Sequence, residues 1–208
     1  MDSIPCNIVL LPNSDIAQKV TTVSQQLAPL GSLFTLRDGE YFPHASLYMT
    51  QLKVADLNTV KERLAVIAEQ SSVLDLRCMR YYQAHGYIDV EYERPAALAD
   101  MQMAVVNAIN PIRDGMREND KARMLTETGK VRESLEKYGY RGVGELFRPH
   151  VTLTRFANEA AIDLSSAPLP QSESFSGQFT RLGLFEMGDN GTCVRKIAEF
   201  ELGSTVNA

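Results

Sequence analysis

Two short stretches of this sequence repeat one pattern around a histidine. The first is Pro43-His44-Ala45-Ser46-Leu47, and the second is Pro149-His150-Val151-Thr152-Leu153. In each, a hydroxyl residue lies two positions after the histidine and a leucine follows it. The copies lie about half of the 208-residue chain apart, and they use two of its three histidines. The repeat predicts two similar half-structures, each contributing one imidazole and one hydroxyl to a shared site.

A pair of histidines without a metal suits acid–base chemistry on a phosphodiester. An ordinary imidazole has a pKa of about 6.5, so one ring can accept a proton while the other, charged, donates one. Each such role contributes about 10²–10⁴-fold to the rate. The hydroxyls of Ser46 and Thr152, with the imidazolium, can hydrogen-bond the non-bridging phosphate oxygens as charge builds. Which of His44 and His150 is the base stays open at this point.

Other catalytic constellations fit the sequence less well. No third histidine or placed carboxylate completes a credible metal-ligand set. Ser46 falls inside a predicted strand rather than at the Gly-x-Ser-x-Gly elbow of a serine hydrolase, and glycine-rich phosphate-binding loops are absent from the sequence. Cys6, Cys78 and Cys193 are odd in number and far apart, which favours buried thiols over disulfides or a zinc site.

The alternation of side chains along a strand aims both motifs into one cleft. The opposite, apolar face of each strand packs on helices, and this fixes the register. In the first predicted strand, residues 42–52, the polar face carries Phe42, His44, Ser46, Tyr48 and Thr50. In the second, residues 147–156, it carries Arg148, His150, Thr152 and Thr154.

Four further residues of these faces are predicted to contact substrate: Phe42, Tyr48, Arg148 and Thr154. Arg148 would add positive charge, and Phe42 or Tyr48 would stack on a base. The alternatives are that the aromatic rings pack in the interior and that Arg148 is an ordinary surface residue. His85 lies outside the repeat, near a predicted turn, and is expected to have a structural or surface role.

Composition and charge limit the class of partner. Hydrophobic residues make up 44% of the chain, charged residues make up 23%, and the net charge is −5. These values are typical of a soluble globular domain, and no apolar run is long enough to span a membrane. The N-terminus lacks signal-peptide features, so we expect a cytoplasmic protein and no membrane partner. Long duplex nucleic acid is not expected, because no basic stripe is present, whereas a nucleotide or short RNA end remains compatible.

The order of predicted elements indicates an α+β fold with largely antiparallel pairing. Helices are predicted at residues 16–30, 56–70 and 95–109, with Ser14 or Asp15 as the N-cap of the first. Besides the motif strands, strands are predicted at residues 4–11, 73–79 and 86–92, and a closing hairpin at 175–187 and 193–202.

Residues 110–145 form a polar, densely charged excursion. A thin apolar stripe predicts a single helix there, and the segment is either a lid over the site or a solvated surface insertion. The stripe consists of Leu125, Val131, Leu135 and Tyr138.

The tetrapeptides His44-Ala45-Ser46-Leu47 and His150-Val151-Thr152-Leu153 resemble the paired motifs of the 2H phosphoesterase superfamily, and within it of the bacterial 2'-5' RNA ligase-like proteins. The layout is similar too, with an early strand, helices between the motifs and a C-terminal hairpin. The resemblance implies two pseudo-symmetric lobes, each an antiparallel sheet with helices on its outer face, with the active-site cleft between them. Ser46 departs from the commoner threonine but keeps the hydroxyl, and the excursion is longer than the minimal family plan.

From the resemblance we expect a metal-independent phosphodiesterase, without cofactor, that acts on 2',3'-cyclic phosphates or 2'-5' linkages of nucleotides or RNA, with reversible ligation as a further activity. We expect a monomer with a single bilobal domain over residues 1–208. Its first half is placed at about 1–109, the excursion at 110–145 and its second half at about 146–208. One alternative is a binding module that holds a nucleotide or RNA end in the same cleft without turnover. Another is a metal-dependent hydrolase.

Overall fold

The computed structural model describes residues 2–157, 163, 167 and 169–203. Within these ranges the chain forms the predicted α+β fold, with five α-helices and eight strands. The helices are α1 Ser14–Leu27, α2 Leu57–Glu69, α3 Ala96–Ile109, α4 Glu118–Met124 and α5 Gly129–Tyr138. The strands are β1 Ser3–Pro12, β2 Ala45–Lys53, β3 Leu74–Leu76, β4 Cys78–Ala84, β5 Tyr87–Tyr92, β6 His150–Arg155, β7 Gly177–Met187 and β8 Cys193–Glu201.

The strands form one antiparallel sheet, in which the two central strands share the fewest paired residues. Their order is β3-β7-β1-β2-β6-β5-β4, and β8 pairs with β7 beside that path. The central strands β2 and β6 are paired only at Ala45 and Val151, at the N-terminal end of each strand. The two sheets implied by the resemblance are therefore continuous through one residue pair.

Both motif strands are held in place by strands from elsewhere in the chain. β2 pairs along its length with β1, which in turn pairs with β7 of the closing hairpin. β6 pairs with β5, which forms a hairpin with β4. The joint between β2 and β6 is therefore supported on each side by a multi-stranded antiparallel ladder.

The main apolar core lies on the face of the sheet that the helices cover. Helix α1 buries Ile16, Val20, Val23 and Leu27 at helical spacing, as its amphipathic pattern requires. Its N-cap is Asn13 rather than the predicted Ser14 or Asp15, because the Asn13 side chain accepts a hydrogen bond from the Ile16 amide at 3.0 Å. None of the helices in the described ranges has the length and apolarity needed to cross a membrane.

The predicted strand at residues 73–79 is in fact two strands that take different partners. β3 pairs with β7, whereas β4 pairs with β5 and continues to Ala84, beyond the predicted end at residue 79. The β4–β5 turn is formed at His85 and Gly86, which have φ values of 50° and 80°. A side chain at Gly86 would meet the Phe156 carbonyl oxygen at 2.5 Å, so only glycine fits this close approach.

The excursion contains two helices, α4 and α5, where one was predicted. The predicted stripe is wrong at Leu125, which is 85% exposed, but right at Leu135, which is fully buried. The carboxylate of Asp120 is also fully buried and pairs with Arg117 at 2.6 Å and Arg123 at 3.1 Å. Through these buried contacts, part of the excursion is packed rather than solvated.

Candidate functional site

The two motif histidines are oriented by equivalent hydrogen bonds, each to the carbonyl two residues earlier in the chain. Nδ1 of His44 lies 2.7 Å from the carbonyl oxygen of Phe42, and Nδ1 of His150 lies 2.7 Å from that of Arg148. A carbonyl oxygen only accepts, so each Nδ1 carries a proton and donates it. Each ring therefore offers Nε2 as the atom that takes up or releases a proton.

The single β2–β6 pair brings both motifs to one face of the sheet. Ala45 and Val151 are paired and buried. In the sequence, His44 and Ser46 flank Ala45, and His150 and Thr152 flank Val151. Side chains alternate along a strand, so these four polar groups project away from the buried pair.

Each motif strand carries a β-bulge at the leucine of its motif. In the β1–β2 ladder, Val9 pairs with Ser46 and Ile8 with Tyr48, so Leu47 is the extra residue. In the β5–β6 ladder, Asp89 pairs with Thr152 and Ile88 with Thr154, so Leu153 is the extra residue. A bulge resets the alternation of the residues that follow it.

Because of this reset, Tyr48 and Thr154 do not share the face of the motif histidines, contrary to the prediction that they contact substrate. Both are fully buried. The Tyr48 hydroxyl donates to the carbonyl oxygen of Tyr138 at 2.6 Å, and the Thr154 hydroxyl donates to that of Phe34 at 2.7 Å. These two residues hold neighbouring segments in place. Thr50, expected on the same polar face, is also buried, at 2% exposure.

Ser46 is supported from β1. The side-chain amide of Asn7, which is fully buried, donates to the Ser46 hydroxyl oxygen over 2.8 Å. The same amide nitrogen lies 3.8 Å from the Cys193 sulfur. Ser46 is 8% exposed, so it lies close to the surface of the sheet but is largely covered.

Thr152 is supported from β5 by a carboxylate. Its hydroxyl donates to Oδ1 of Asp89 at 2.8 Å, and Arg148 donates to Oδ2 of Asp89 at 2.6 Å. Nε2 of His150 lies 3.9 Å from the same Oδ2. The Arg148 guanidinium also lies 3.8 Å from Glu91 and stacks over the Tyr82 ring at 4.3 Å. The positive charge predicted for substrate binding is therefore directed at carboxylates.

Loss of hydration makes His44 a weak base that stays neutral over a wide pH range. It lowers the pKa of the ring from 6.5 to about 4, and the nearby charge of His150 contributes to the lowering. The carbonyl oxygens of Phe42 and Gly191 act in the opposite direction but do not cancel it. Because the charge of His150 contributes to this lower pKa, the two rings lie close enough to interact electrostatically.

A pocket opens beside His44 and Thr152. Phe42, which the sequence predicts to contact substrate, lines this pocket, and its ring also packs on Phe185 with centroids 5.0 Å apart. The other lining residues come from the segment before β2 and from the β7–β8 turn: Phe34, Leu36, Tyr41, Asn190, Gly191, Thr192 and Cys193. In the ranges that the structure covers, no three His, Cys, Asp or Glu side chains are arranged to hold a metal ion.

Asn7 and Asp89 are the site residues that the sequence analysis missed. Both carried a signal, since each is a polar side chain inside an apolar strand pattern. What the sequence did not show is that β1 and β5 lie beside the motif strands. Without that adjacency, the two polar residues could not be assigned to the histidine site.

Comparisons with known proteins connect this geometry to a family and a fold. A family model described as "Protein of unknown function (DUF1045)" matches residues 50–183, which include the second motif and begin after the first. No functionally curated protein matches the sequence significantly.

Solved structures match over nearly the whole chain. The Thermus thermophilus protein TT0787 has a TM-score of 0.59 at 14% identity, covering 96% of this chain and 98% of its own. LigT of E. coli complexed with 3'-AMP has a TM-score of 0.57 at 13% identity, covering 97% and 99%. A protein described as a phosphoesterase has a TM-score of 0.52 at 12% identity, covering 97% and 99%. Other LigT structures hold phosphate, ATP or NADP+. The chain therefore shares the fold of LigT and TT0787.

Proposed function

The chain belongs to the DUF1045 family, and from its site we propose that it is a metal-independent phosphodiesterase that uses His44 and His150 as an acid–base pair. One observation carries the proposal. Two imidazoles, each with Nδ1 bonded to a backbone carbonyl at 2.7 Å, come from residues next to the Ala45–Val151 pair that joins β2 and β6, and this bond leaves Nε2 of each ring as the candidate atom for proton transfer. Proton donors and acceptors paired in this way are what cleavage of a phosphodiester requires.

The roles of the two rings follow from their surroundings. Because loss of hydration lowers the pKa of His44 to about 4, this ring is neutral near pH 7 and suits the base that activates water. His150 has the Asp89 carboxylate 3.9 Å from its Nε2 and suits the acid that protonates the leaving ribose oxygen. Reversal of the reaction, as in ligation, would exchange the roles.

The proposed substrates are nucleotides or short RNA with a 2',3'-cyclic phosphate or a 2'-5' linkage. The fold shared with LigT and the nucleotides held by LigT support this class. We place the substrate in a cleft at the β2–β6 joint, with one lobe on each side within the single domain expected over residues 1–208. The predicted division into halves at about 1–109 and 146–208 remains part of this proposal.

The test is hydrolysis of 2',3'-cyclic mononucleotides and 2'-5' dinucleotides in the presence of EDTA. Turnover should survive EDTA, and His44→Ala and His150→Ala should each lower it by about 100-fold or more. His85→Asn is the matched control, because His85 is exposed and lies in the β4–β5 turn, where asparagine tolerates its positive φ.

Three other outcomes would overturn the proposal. Full activity in either alanine variant would exclude a paired mechanism. Calorimetric binding of a cyclic nucleotide without product formation would favour the binding module instead. Loss of turnover in EDTA, with stoichiometric metal in the purified protein, would favour a metal-dependent hydrolase.

A further inference from the structure

The two motif hydroxyls play opposite roles in their hydrogen bonds: one accepts and the other donates. Ser46 accepts a hydrogen bond from the Asn7 amide at 2.8 Å, so its own proton is available to an incoming group. Thr152 donates its proton to Asp89 at 2.8 Å, so its remaining capacity is as an acceptor. In the sequence repeat the two hydroxyls occupy equivalent positions, but in the structure their hydrogen-bonding partners differ.

Asp89 is held in a position that maintains this difference. It is 3% exposed, and its two oxygens receive separate donors, Thr152 at Oδ1 and Arg148 at Oδ2. Rotation of the carboxylate would break both bonds, and a buried carboxylate without donors is costly. The Thr152 proton is therefore directed away from the cleft for as long as the Asp89–Arg148 pair is intact.

The hydroxyls consequently suit different parts of a ligand. Phosphate oxygens accept hydrogen bonds, and Ser46 has a proton to donate to them. The Thr152 oxygen can only accept and lies beside the buried Asp89 carboxylate. It would therefore bind a phosphate oxygen poorly but can accept a hydrogen bond from a hydroxyl group. Thr152 also lines the pocket beside His44.

Resting on the proposed function, we propose that Asp89 is a positioning residue that gives the two motif hydroxyls different roles. Ser46 donates to the substrate phosphate, and Thr152 accepts from the neighbouring ribose hydroxyl, which is free in a 2'-5'-linked substrate and in the nucleotide released from a cyclic phosphate. The protein then distinguishes a ribonucleotide phosphate from its deoxy counterpart through the second motif. The first motif holds the phosphate whichever sugar carries it.

The experiment is calorimetric binding of 3'-AMP and 2'-deoxy-3'-AMP, which differ by the one hydroxyl. The unaltered protein should bind 3'-AMP about 3- to 10-fold more tightly, the range that one net hydrogen bond supplies. Thr152→Val should abolish this preference, whereas Ser46→Ala should weaken both ligands by about 10-fold and keep it. His85→Asn is the control, because this residue is exposed in the β4–β5 turn, and it should change neither affinity.

Asp89→Asn separates positioning from a merely structural role. Removing the carboxylate charge and releasing Arg148 should tighten binding of inorganic phosphate several-fold, whereas loss of site structure would weaken it. The ratio between the two nucleotides should fall toward one in this variant. Weaker phosphate binding in a folded Asp89→Asn protein, or a ribose preference that survives Thr152→Val, would overturn the inference. If the unaltered protein bound neither nucleotide, the proposed function itself would fail.

Discussion

Desolvation of the His44 ring has a measurable consequence for stability that does not depend on the substrate. The pKa of this ring is lowered from 6.5 to about 4 in the folded protein, mainly because the charged form loses hydration. His44→Gln removes the titrating group and leaves a side-chain amide that can still donate a hydrogen bond. The variant should therefore lose the acid sensitivity that His44 contributes to folding.

The sign and size follow from proton linkage. A pKa that is lower in the folded state means that the unfolded chain binds more protons below pH 6.5, so stability falls as pH falls. The contribution is intact above about pH 6.5 and is lost progressively down to about pH 4. Since a tenfold change in a protonation equilibrium corresponds to about 1.4 kcal/mol, His44 should account for about 3 kcal/mol of lost stability between pH 7 and pH 4.

The assay is urea unfolding at several pH values between 7 and 4, with fluorescence or circular dichroism as the signal. The free energy of unfolding of His44→Gln should decline by about 3 kcal/mol less than that of the unaltered protein across this range. His85→Asn, at the exposed histidine, should retain the full decline. If His44→Gln and the unaltered protein lost stability in parallel, the ring would not be desolvated as the structure describes, and its proposed role as the neutral base would lose its support.

Three further outcomes are expected. The acidic limb of kcat/KM for a cyclic nucleotide should fall near pH 4 rather than 6.5, because the base is inactivated only when His44 is protonated; a limb near 6.5 would contradict this. Tyr48→Phe should lower the free energy of unfolding by about 1–2 kcal/mol, because the Tyr138 carbonyl loses its donor, and should leave kcat/KM unchanged; a large loss of activity would mean that Tyr48 contacts the substrate. Leu135→Ala should cost about 2–5 kcal/mol and Leu125→Ala less than about 0.5 kcal/mol in urea unfolding, and equal costs would contradict the packing of the excursion.

Much of the fold was accessible from local patterns. Helices α1, α2 and α3 were predicted within a few residues, because each buries an apolar stripe at helical spacing. The closing hairpin of β7 and β8 was predicted from its Gly-Asp-Asn-Gly turn. Local signals failed where a tertiary partner decided the outcome. β3 and β4 look like one strand in the sequence but separate because they pair with different neighbours.

Strand alternation predicted the motif faces correctly only as far as the hydroxyl residue. It set His44 with Ser46 and His150 with Thr152, and the single β2–β6 pair brings the two couples together. Beyond the hydroxyls, the bulges at Leu47 and Leu153 shift the pattern by one residue. A bulge depends on how a strand matches its neighbour, so counting along one strand could not reveal it.

The sequence alone indicated the chemistry, which is a pair of imidazoles each followed by a hydroxyl. That repeat is local, so it can be recognised without knowledge of the fold. The unequal partners of the two motifs were not indicated by the sequence. Asn7 beside Ser46 and Asp89 beside Thr152 are contacts between residues 39 and 63 positions apart, created when β1 and β5 take their places next to the motif strands. Such adjacency is settled by which faces the whole sheet must bury, and no single segment carries that information.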